Sequence, residues 1–87
     1  MKIKNIADVK GNNVVKTLKT EKNINYGKHK GDIRLHLCLM DDGDYHLRTV
    51  KYFKNGTAEM LDGQRFSAKE KDRAIEIFNS YVKFSKS

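Results

Sequence analysis

The sequence predicts an α+β fold in which an antiparallel meander of three strands is followed by one C-terminal helix. Apolar and polar residues alternate over residues 33–40, two hairpin-type turns follow, and a capping sequence opens a long helical pattern near the end of the chain. The 87 residues suit one domain with a thin core, because a domain of this size buries only roughly 60% of the surface that its unfolded chain exposes.

The clearest strand covers residues 33–40. Its apolar residues, Ile33, Leu35, Leu37 and Leu39, alternate with Arg34, His36, Cys38 and Met40. This period of two is typical of a strand with one buried face. The Asp42-Gly43 pair that follows predicts a type I′ hairpin turn, in which both central residues need a positive φ.

Two more strands complete the meander. The second is predicted at about 45–54, where Asn55-Gly56 gives another type I′ turn. The third is predicted at 57–61 and reaches a turn at Asp62-Gly63, with an extension through Arg65-Phe66 as the alternative.

The C-terminal helix begins with a capping box. In this motif the Ser67 hydroxyl accepts a hydrogen bond from the amide of Glu70, whose side chain reaches back to the amide of Ser67. The helix is predicted from Ala68 to about Lys83, and its apolar residues form one stripe of Ala74, Ile75, Phe78 and Val82 and a second of Ile77, Tyr81 and Phe84. Because the two stripes together exceed the roughly 100° needed to cover one sheet, the second is either deep core or a surface for a second subunit.

The first thirty residues allow two arrangements. In the first arrangement, residues 2–20 form a hairpin with Gly11-Asn12 at its tip. In the second, a flexible basic arm precedes a strand at 14–20. We therefore predict residues 1–12 as a basic N-terminal arm or first strand, and residues 13–87 as a single domain of sheet and helix.

Positive charge is concentrated in the first part of the chain. The net charge is +7, and residues 1–34 contain nine Lys or Arg against three acidic residues, whereas the other 53 residues contain nine against eight. Such asymmetry is typical of a protein that binds an anionic polymer, with a solvated basic surface as the alternative.

The motifs of common enzyme and cofactor sites are missing from the sequence, so we predict a non-enzymatic protein without cofactor or metal. It has no phosphate-binding loop, glycine-rich fingerprint or nucleophile elbow. Cys38 alternates with leucines and is predicted to be an inert strand residue, while His29, His36 and His46 are scattered. The sequence contains neither a signal peptide nor an apolar run of membrane-spanning length, which predicts a cytoplasmic protein, or a nuclear one if it is eukaryotic.

The segment 47–56, LRTVKYFKNG, combines cations with aromatic rings. In an ideal strand Arg48 and Tyr52 share one face while Lys51 and Phe53 share the other, and since neither face is cleanly apolar, a bulge is predicted near Thr49-Val50. Cations can follow a nucleic-acid backbone while each base stacked on a ring contributes about 1–3 kcal/mol. The alternative is that the rings belong to the core and the lysines are solvated.

The chain resembles the transcriptional positive cofactor four (p15) family over about residues 24 to 84. The resemblance rests on YGKHKGD at 26–32, on the strand with Arg48 followed by Tyr52 and Phe53, and on the Gly63-to-Ser67 segment that leads into the capped helix. The glycine that the family has just before its hydrophobic-Ser pair is replaced here, where the sequence reads QRFS, and the family's tryptophan is absent.

The resemblance implies a curved antiparallel sheet of about four strands, with five as the alternative, and a dimer formed through the helix. Members of the family bind single-stranded or unwound DNA with little sequence preference. By position, the implied phosphate contacts are Lys28, Lys30, Arg34, Arg48, Lys51 and Arg65. Tyr52 and Phe53 would stack on bases, while Ile77, Tyr81 and Phe84 would form the dimer interface, and Lys2, Lys4 and Lys10 would add a nonspecific basic arm.

We therefore expect a homodimeric single-stranded DNA-binding protein, with RNA as a second ligand, that acts in transcription, replication or recombination alongside protein partners. The alternatives are a small protein-binding module, such as a phage-type inhibitor of a host protein, and a duplex RNA binder. The first alternative would use a sheet edge or the second helix stripe, and the duplex RNA binder would need an N-terminal helix.

Overall fold

The computed structural model describes residues 2–3 and 14–86. They form an antiparallel sheet and one C-terminal helix, which confirms the predicted α+β fold. The strands are β1 (Lys2–Ile3), β2 (Val14–Glu21), β3 (Asp32–Met40), β4 (Tyr45–Tyr52) and β5 (Ala58–Phe66), followed by a 3-10 turn at Ala68–Glu70 and the helix α1 (Lys71–Lys86). The order across the sheet is β1-β5-β4-β3-β2, so four longer strands form a meander and β1 adds a two-residue edge.

The two N-terminal strands lie at opposite edges of the sheet. Lys2 pairs with Glu59 on β5, whereas β2 pairs with β3. The predicted hairpin between β1 and β2 is therefore not formed. The proposed hairpin tip at Gly11-Asn12 and most of the predicted basic arm lie outside the described residues. Strand β2 has two register shifts against β3, between Val14 and Lys16 and between Thr17 and Lys19.

Both hairpin turns lie where the sequence places them, but the predicted turn type is wrong. The amide of Gly43 donates to the carbonyl of Met40 at 3.0 Å, and the amide of Gly56 donates to the carbonyl of Phe53 at 3.1 Å. Gly43 and Gly56 have φ values of +89° and +87°, while the residues before them have negative φ. Each loop therefore has three residues and ends in a glycine, an arrangement that needs only one positive φ where a type I′ turn needs two.

Strand β5 continues through the predicted turn at Asp62-Gly63. Thr49 pairs with Asp62 and Val50 pairs with Met60, so Leu61 is an extra residue opposite β4. This is the bulge predicted near Thr49-Val50, with the extra residue on the partner strand. The bulge lets Gly63 stay in the sheet, and the strand ends only at Phe66.

The core lies between one face of the sheet and α1. The helix begins with the predicted capping box, in which the Ser67 amide donates to the Glu70 carboxylate at 3.1 Å. The buried apolar residues of this core are Ile24, Ile33, Leu35, Leu37, Leu47, Phe66, Ala74 and Phe78. Among residues 2–3 and 14–86, no helix is long and apolar enough to cross a membrane.

The face of the sheet opposite α1 is also buried, and it is partly polar. His36, Cys38 and Arg48 lie on this face, because they alternate along β3 and β4 with the core leucines, and His36 pairs directly with Arg48. Arg48, Cys38 and Val50 have no exposed surface, and His36 is 5% exposed. Polar groups on this face therefore need hydrogen-bond partners within the protein.

Candidate nucleic-acid interface at one end of the sheet

Six of the eight predicted nucleic-acid contacts lie at one end of the sheet. Strand pairing places Asp32 opposite Tyr52 and Ile33 opposite Lys51, so the start of β3 adjoins the end of β4. The loop 27–31 leads into β3, and Phe53 follows β4. We call this group the cationic end; it comprises Lys28, Lys30, Arg34, Lys51, Tyr52 and Phe53.

Arg34 is fixed at the cationic end by an ion pair and by a ring. Its Nε and Nη2 donate to the two carboxylate oxygens of Asp32 at 2.9 and 2.7 Å. Its guanidinium carbon lies 4.6 Å from the centre of the Tyr52 ring. The hydrogen bonds from Arg34 lower the pKa of Asp32, and the same bonds raise the pKa of Arg34. The guanidinium is thus held over the Tyr52 ring, within the distance of a cation–π contact.

Tyr52 is held in turn by His36 on the buried face. The Tyr52 hydroxyl lies 2.8 Å from His36 Nε2, and the Thr20 hydroxyl lies 2.9 Å from His36 Nδ1. Burial, together with the charges of Arg34 and Arg48, lowers the pKa of His36 to about 4. A neutral imidazole has one donor and one acceptor nitrogen, so it joins the two hydroxyls in one chain. Burial also raises the pKa of Tyr52.

Lys51 and Phe53 form a second cation–ring pair. The Lys51 ammonium lies 5.4 Å from the centre of the Phe53 ring. Gly31 has a φ of +111°, and a Cβ at that position would lie 3.4 Å from Lys51 Cε. Since only glycine adopts this backbone conformation easily, Gly31 lets the loop pass close beside Lys51.

The loop 27–31 presents its side chains to solvent. The amide of His29 donates to the carbonyl of Tyr26 at 3.0 Å and closes a turn at Gly27-Lys28. Lys28 and Lys30 are both exposed. Among the described residues, neither forms an ion pair, so both charges are available to an anion.

Arg48 does not belong to this surface. Its side chain lies on the face opposite α1, as do those of Arg34 and Tyr52, but it is fully buried there, and its Nη2 donates to Met40 Sδ at 3.2 Å. Burial lowers its pKa, because desolvation disfavours the charged form. From this position Arg48 cannot contact a phosphate at the surface, so its predicted role is corrected to a structural one. Sequence reasoning missed this because a cation on a strand is usually exposed.

Arg65 lies at the other end of the sheet. Its Nε donates to Asp44 at 2.7 Å, and its Nη2 donates to Asp42. Hydrogen bonding to Asp44 raises the pKa of Arg65 above its usual range. We call Asp42, Asp44 and Arg65 the paired end. Two carboxylates neutralise this arginine, and the structure does not bring it together with the other predicted contacts.

The second helix stripe is divided between core and surface. Ile77 and Tyr81 pack against the protein's own core. The Tyr81 side chain also forms a hydrogen bond with Thr49, and burial raises the pKa of Tyr81. Phe84 is 82% exposed. Much of the apolar width that predicted a dimer is therefore used within the chain, and dimerisation through Ile77, Tyr81 and Phe84 stays a prediction.

A groove of about 480 Å³ opens beside this stripe. Its lining consists of Asn25, Tyr26, Gly27, Ile77, Ser80, Tyr81 and Phe84. Asn25 and Tyr26 are not among the contacts that were predicted from the sequence. Tyr26 precedes the Gly27-Lys28 turn directly, which is a pattern that could have indicated a ring beside the basic loop.

The described residues contain no group of three or more His, Cys, Asp or Glu side chains able to hold a metal ion.

No protein-family model matches the chain, and no curated protein or solved structure matches it. The resemblance to the transcriptional positive cofactor four (p15) family therefore stays a prediction.

Proposed function

We propose that this protein is a non-enzymatic single-stranded nucleic-acid-binding protein. The observation that carries the proposal is the cationic end, where two exposed lysines and two cation–ring pairs lie at the same end of the sheet. The preference for DNA over RNA rests on the family resemblance alone. The contacts that we propose are Lys28, Lys30, Arg34, Lys51, Tyr52 and Phe53.

The first step of binding is electrostatic capture by the loop 27–31. Lys28 and Lys30 are exposed and Lys51 lies beside the loop, so phosphates meet a small group of positive charges. Each neutralised phosphate releases a condensed counterion, and affinity for a single strand then falls with salt by a slope of about −0.7 per contact.

The second step is stacking. The Lys51 ammonium covers the Phe53 ring in the free protein. A phosphate can attract that ammonium away from the ring, and a base then takes its place on the exposed face. Arg34 stays fixed to Asp32 and offers the outer face of its guanidinium, on which bases also stack. Duplexes hide their base faces, so this step favours unpaired strands.

The proposal is tested by titrating the protein against a fluorescent single strand of about 20 nucleotides at two salt concentrations, with the matched duplex as competitor. We expect salt-dependent binding that the duplex does not compete away. Equal competition by duplex would reduce the interaction to nonspecific electrostatics, and no binding at low salt would overturn the proposal.

A ring substitution separates stacking from capture. Phe53→Ala should weaken single-strand binding by about 1–3 kcal/mol, which is the range for one base–ring stack, and should leave the salt slope unchanged. Phe53→Tyr keeps the ring and serves as the matched control. Equal weakening by both variants would show that Phe53 acts through local structure and not through its aromatic face.

A protein-binding module is the second candidate function. It is favoured by the exposed Phe84 beside an apolar groove, since exposed apolar patches commonly mark protein contacts. This alternative predicts stoichiometric, salt-tolerant binding to one protein and no affinity for oligonucleotides.

A further inference from the structure

We propose that the groove between α1 and residues 25–27 binds a nucleobase of the same single strand that the cationic end captures. This inference rests on the proposed function and extends it to a second stacking site. Neither Tyr26 nor Asn25 belongs to the predicted set of nucleic-acid contacts, and α1 contributes the rest of the lining.

The lining of the groove suits a flat aromatic ligand. Tyr26, Tyr81 and Phe84 supply three rings, while Ser80 and Asn25 supply polar groups at the same walls. The volume of about 480 Å³ is within the range of roughly 300–1,000 Å³ that is typical of small-molecule sites. Rings for stacking and a few polar groups for the ring edge are what a base requires.

The groove is preformed because its two walls are tied together. The amide of Asn25 donates to the Ser85 hydroxyl at 2.7 Å, and the Asn25 side-chain nitrogen donates to the Ser85 carbonyl at 2.7 Å. Ser85 is 6% exposed, and Ile24, which precedes Asn25, is 3% exposed and donates its amide to the carbonyl of Ile33. Little ordering is therefore needed when a ligand enters, which favours affinity.

Charge distinguishes a nucleic acid from a second copy of this chain as the occupant. Gly27 of the lining is followed directly by Lys28, and Lys83 precedes Phe84. Lys28, Lys30 and Lys83 are all exposed, and the one acidic residue on α1 within a turn of its lining residues is Glu76. A second copy at this groove, as in the dimer that the family resemblance implies, would bring like charges together, so this inference competes with that prediction. A phosphate backbone would instead be attracted to the same rim.

The groove is also continuous with the cationic end. The loop 27–31 begins at the groove with Gly27 and ends at Gly31, beside Lys51. A strand that crosses this loop meets Lys28 and Lys30 between the two stacking positions. One base at Phe53 and another at the groove would thus be joined by backbone that contacts the loop.

Two matched variants test the inference. Phe84 and Val15 are both exposed apolar residues, with exposed fractions of 82% and 62%. Val15 lies near the start of β2, beside the end of β3, and does not line the groove. Phe84→Ala should weaken binding of a 20-nucleotide single strand at least about fivefold, as expected for one lost stack. Val15→Ala should leave affinity unchanged. An abasic phosphodiester chain of equal length should bind the Phe84→Ala variant and the unaltered protein alike.

A spectroscopic variant checks the site directly. The chain has no tryptophan, so Phe84→Trp adds one emission signal at the groove. We expect this variant to bind the single strand with unchanged affinity. We also expect the bound strand to quench its tryptophan emission. If emission instead changes with protein concentration in the absence of nucleic acid, the groove is a self-association surface and the inference is overturned.

The outcomes separate this inference from the proposed function. If Lys28→Gln/Lys30→Gln weakens binding while Phe84→Ala does not, the proposed function stands and the groove site is wrong. If the unaltered protein binds no single strand at low salt, both fail.

Discussion

The two ends of the sheet are built alike but have opposite electrostatics. Each has a three-residue hairpin loop that closes on a glycine of positive φ, and each has an arginine held by aspartate. At the paired end, Asp42 and Asp44 both bind Arg65. At the cationic end, Asp32 binds Arg34, but in the described part of the chain Lys28, Lys30 and Lys51 form no ion pair. The comparison shows that the carboxylates nearby decide whether a basic residue is available to a ligand.

Acid should disturb the cationic end through His36. With a pKa near 4 in the folded protein and 6.5 when unfolded, His36 binds its proton more readily in the unfolded chain. Stability is therefore full above pH 6.5 and falls as the pH is lowered toward 4, with a loss of about 2 kcal/mol between pH 7 and pH 5. Urea unfolding at the two pH values measures this difference.

The control for this prediction is His36→Gln. This variant should be less stable at pH 7 but should lose less stability on acidification, because the titrating group is gone. Equal pH dependence in the variant and the unaltered protein would assign the effect to other groups. Spectral changes of Tyr52 that precede global unfolding would place the first opening at the cationic end.

Removing two lysines should have the next largest effect. Lys28→Gln/Lys30→Gln should lower the salt slope by about 1.4 and weaken single-strand binding about 25-fold in 0.1 M salt. Lys69→Gln/Lys71→Gln removes the same charge from exposed positions that follow β5 at the paired end. Equal loss in both variants would show that only net charge matters, and would remove the distinction between the two ends.

Arg65→Gln should have the smallest effect on binding. Because its charge is already neutralised by Asp42 and Asp44, we expect an unchanged salt slope and a small decrease in thermal stability as the link between the β3–β4 loop and β5 is lost. The titration against the fluorescent single strand measures the salt slope, and a thermal melt measures the stability. A decrease in slope equal to that expected for one phosphate contact would restore Arg65 to the binding surface.

Local patterns predicted the meander and the helix well. Alternation in β3, the glycine turns and the capping box are set by neighbouring residues, and all three lie where they were expected. The turn type was missed because Asp-Gly and Asn-Gly suit both two-residue and three-residue loops. The Asp62-Gly63 turn was missed because the bulge at Leu61 depends on pairing with β4.

The candidate site was predicted less completely, because burial depends on the whole fold. Arg48 and Arg34 look equivalent in the sequence, yet one is buried and the other lies over Tyr52. Arg65 could not be distinguished from the lysines without knowing that the β3–β4 loop brings two carboxylates to it. Tyr26 was missed because its partners on α1 are more than fifty residues away.

The irregular pairing of β2 affects how the edges of the sheet behave when many copies of the protein lie close together. This edge strand is interrupted by two register shifts and bears the exposed Lys16, and the opposite edge is only two residues long. Bulges, lysines and very short strands each hinder edge-to-edge sheet growth. If many copies line up along one polynucleotide, their sheets can then lie side by side at high local concentration without fusing into a fibril.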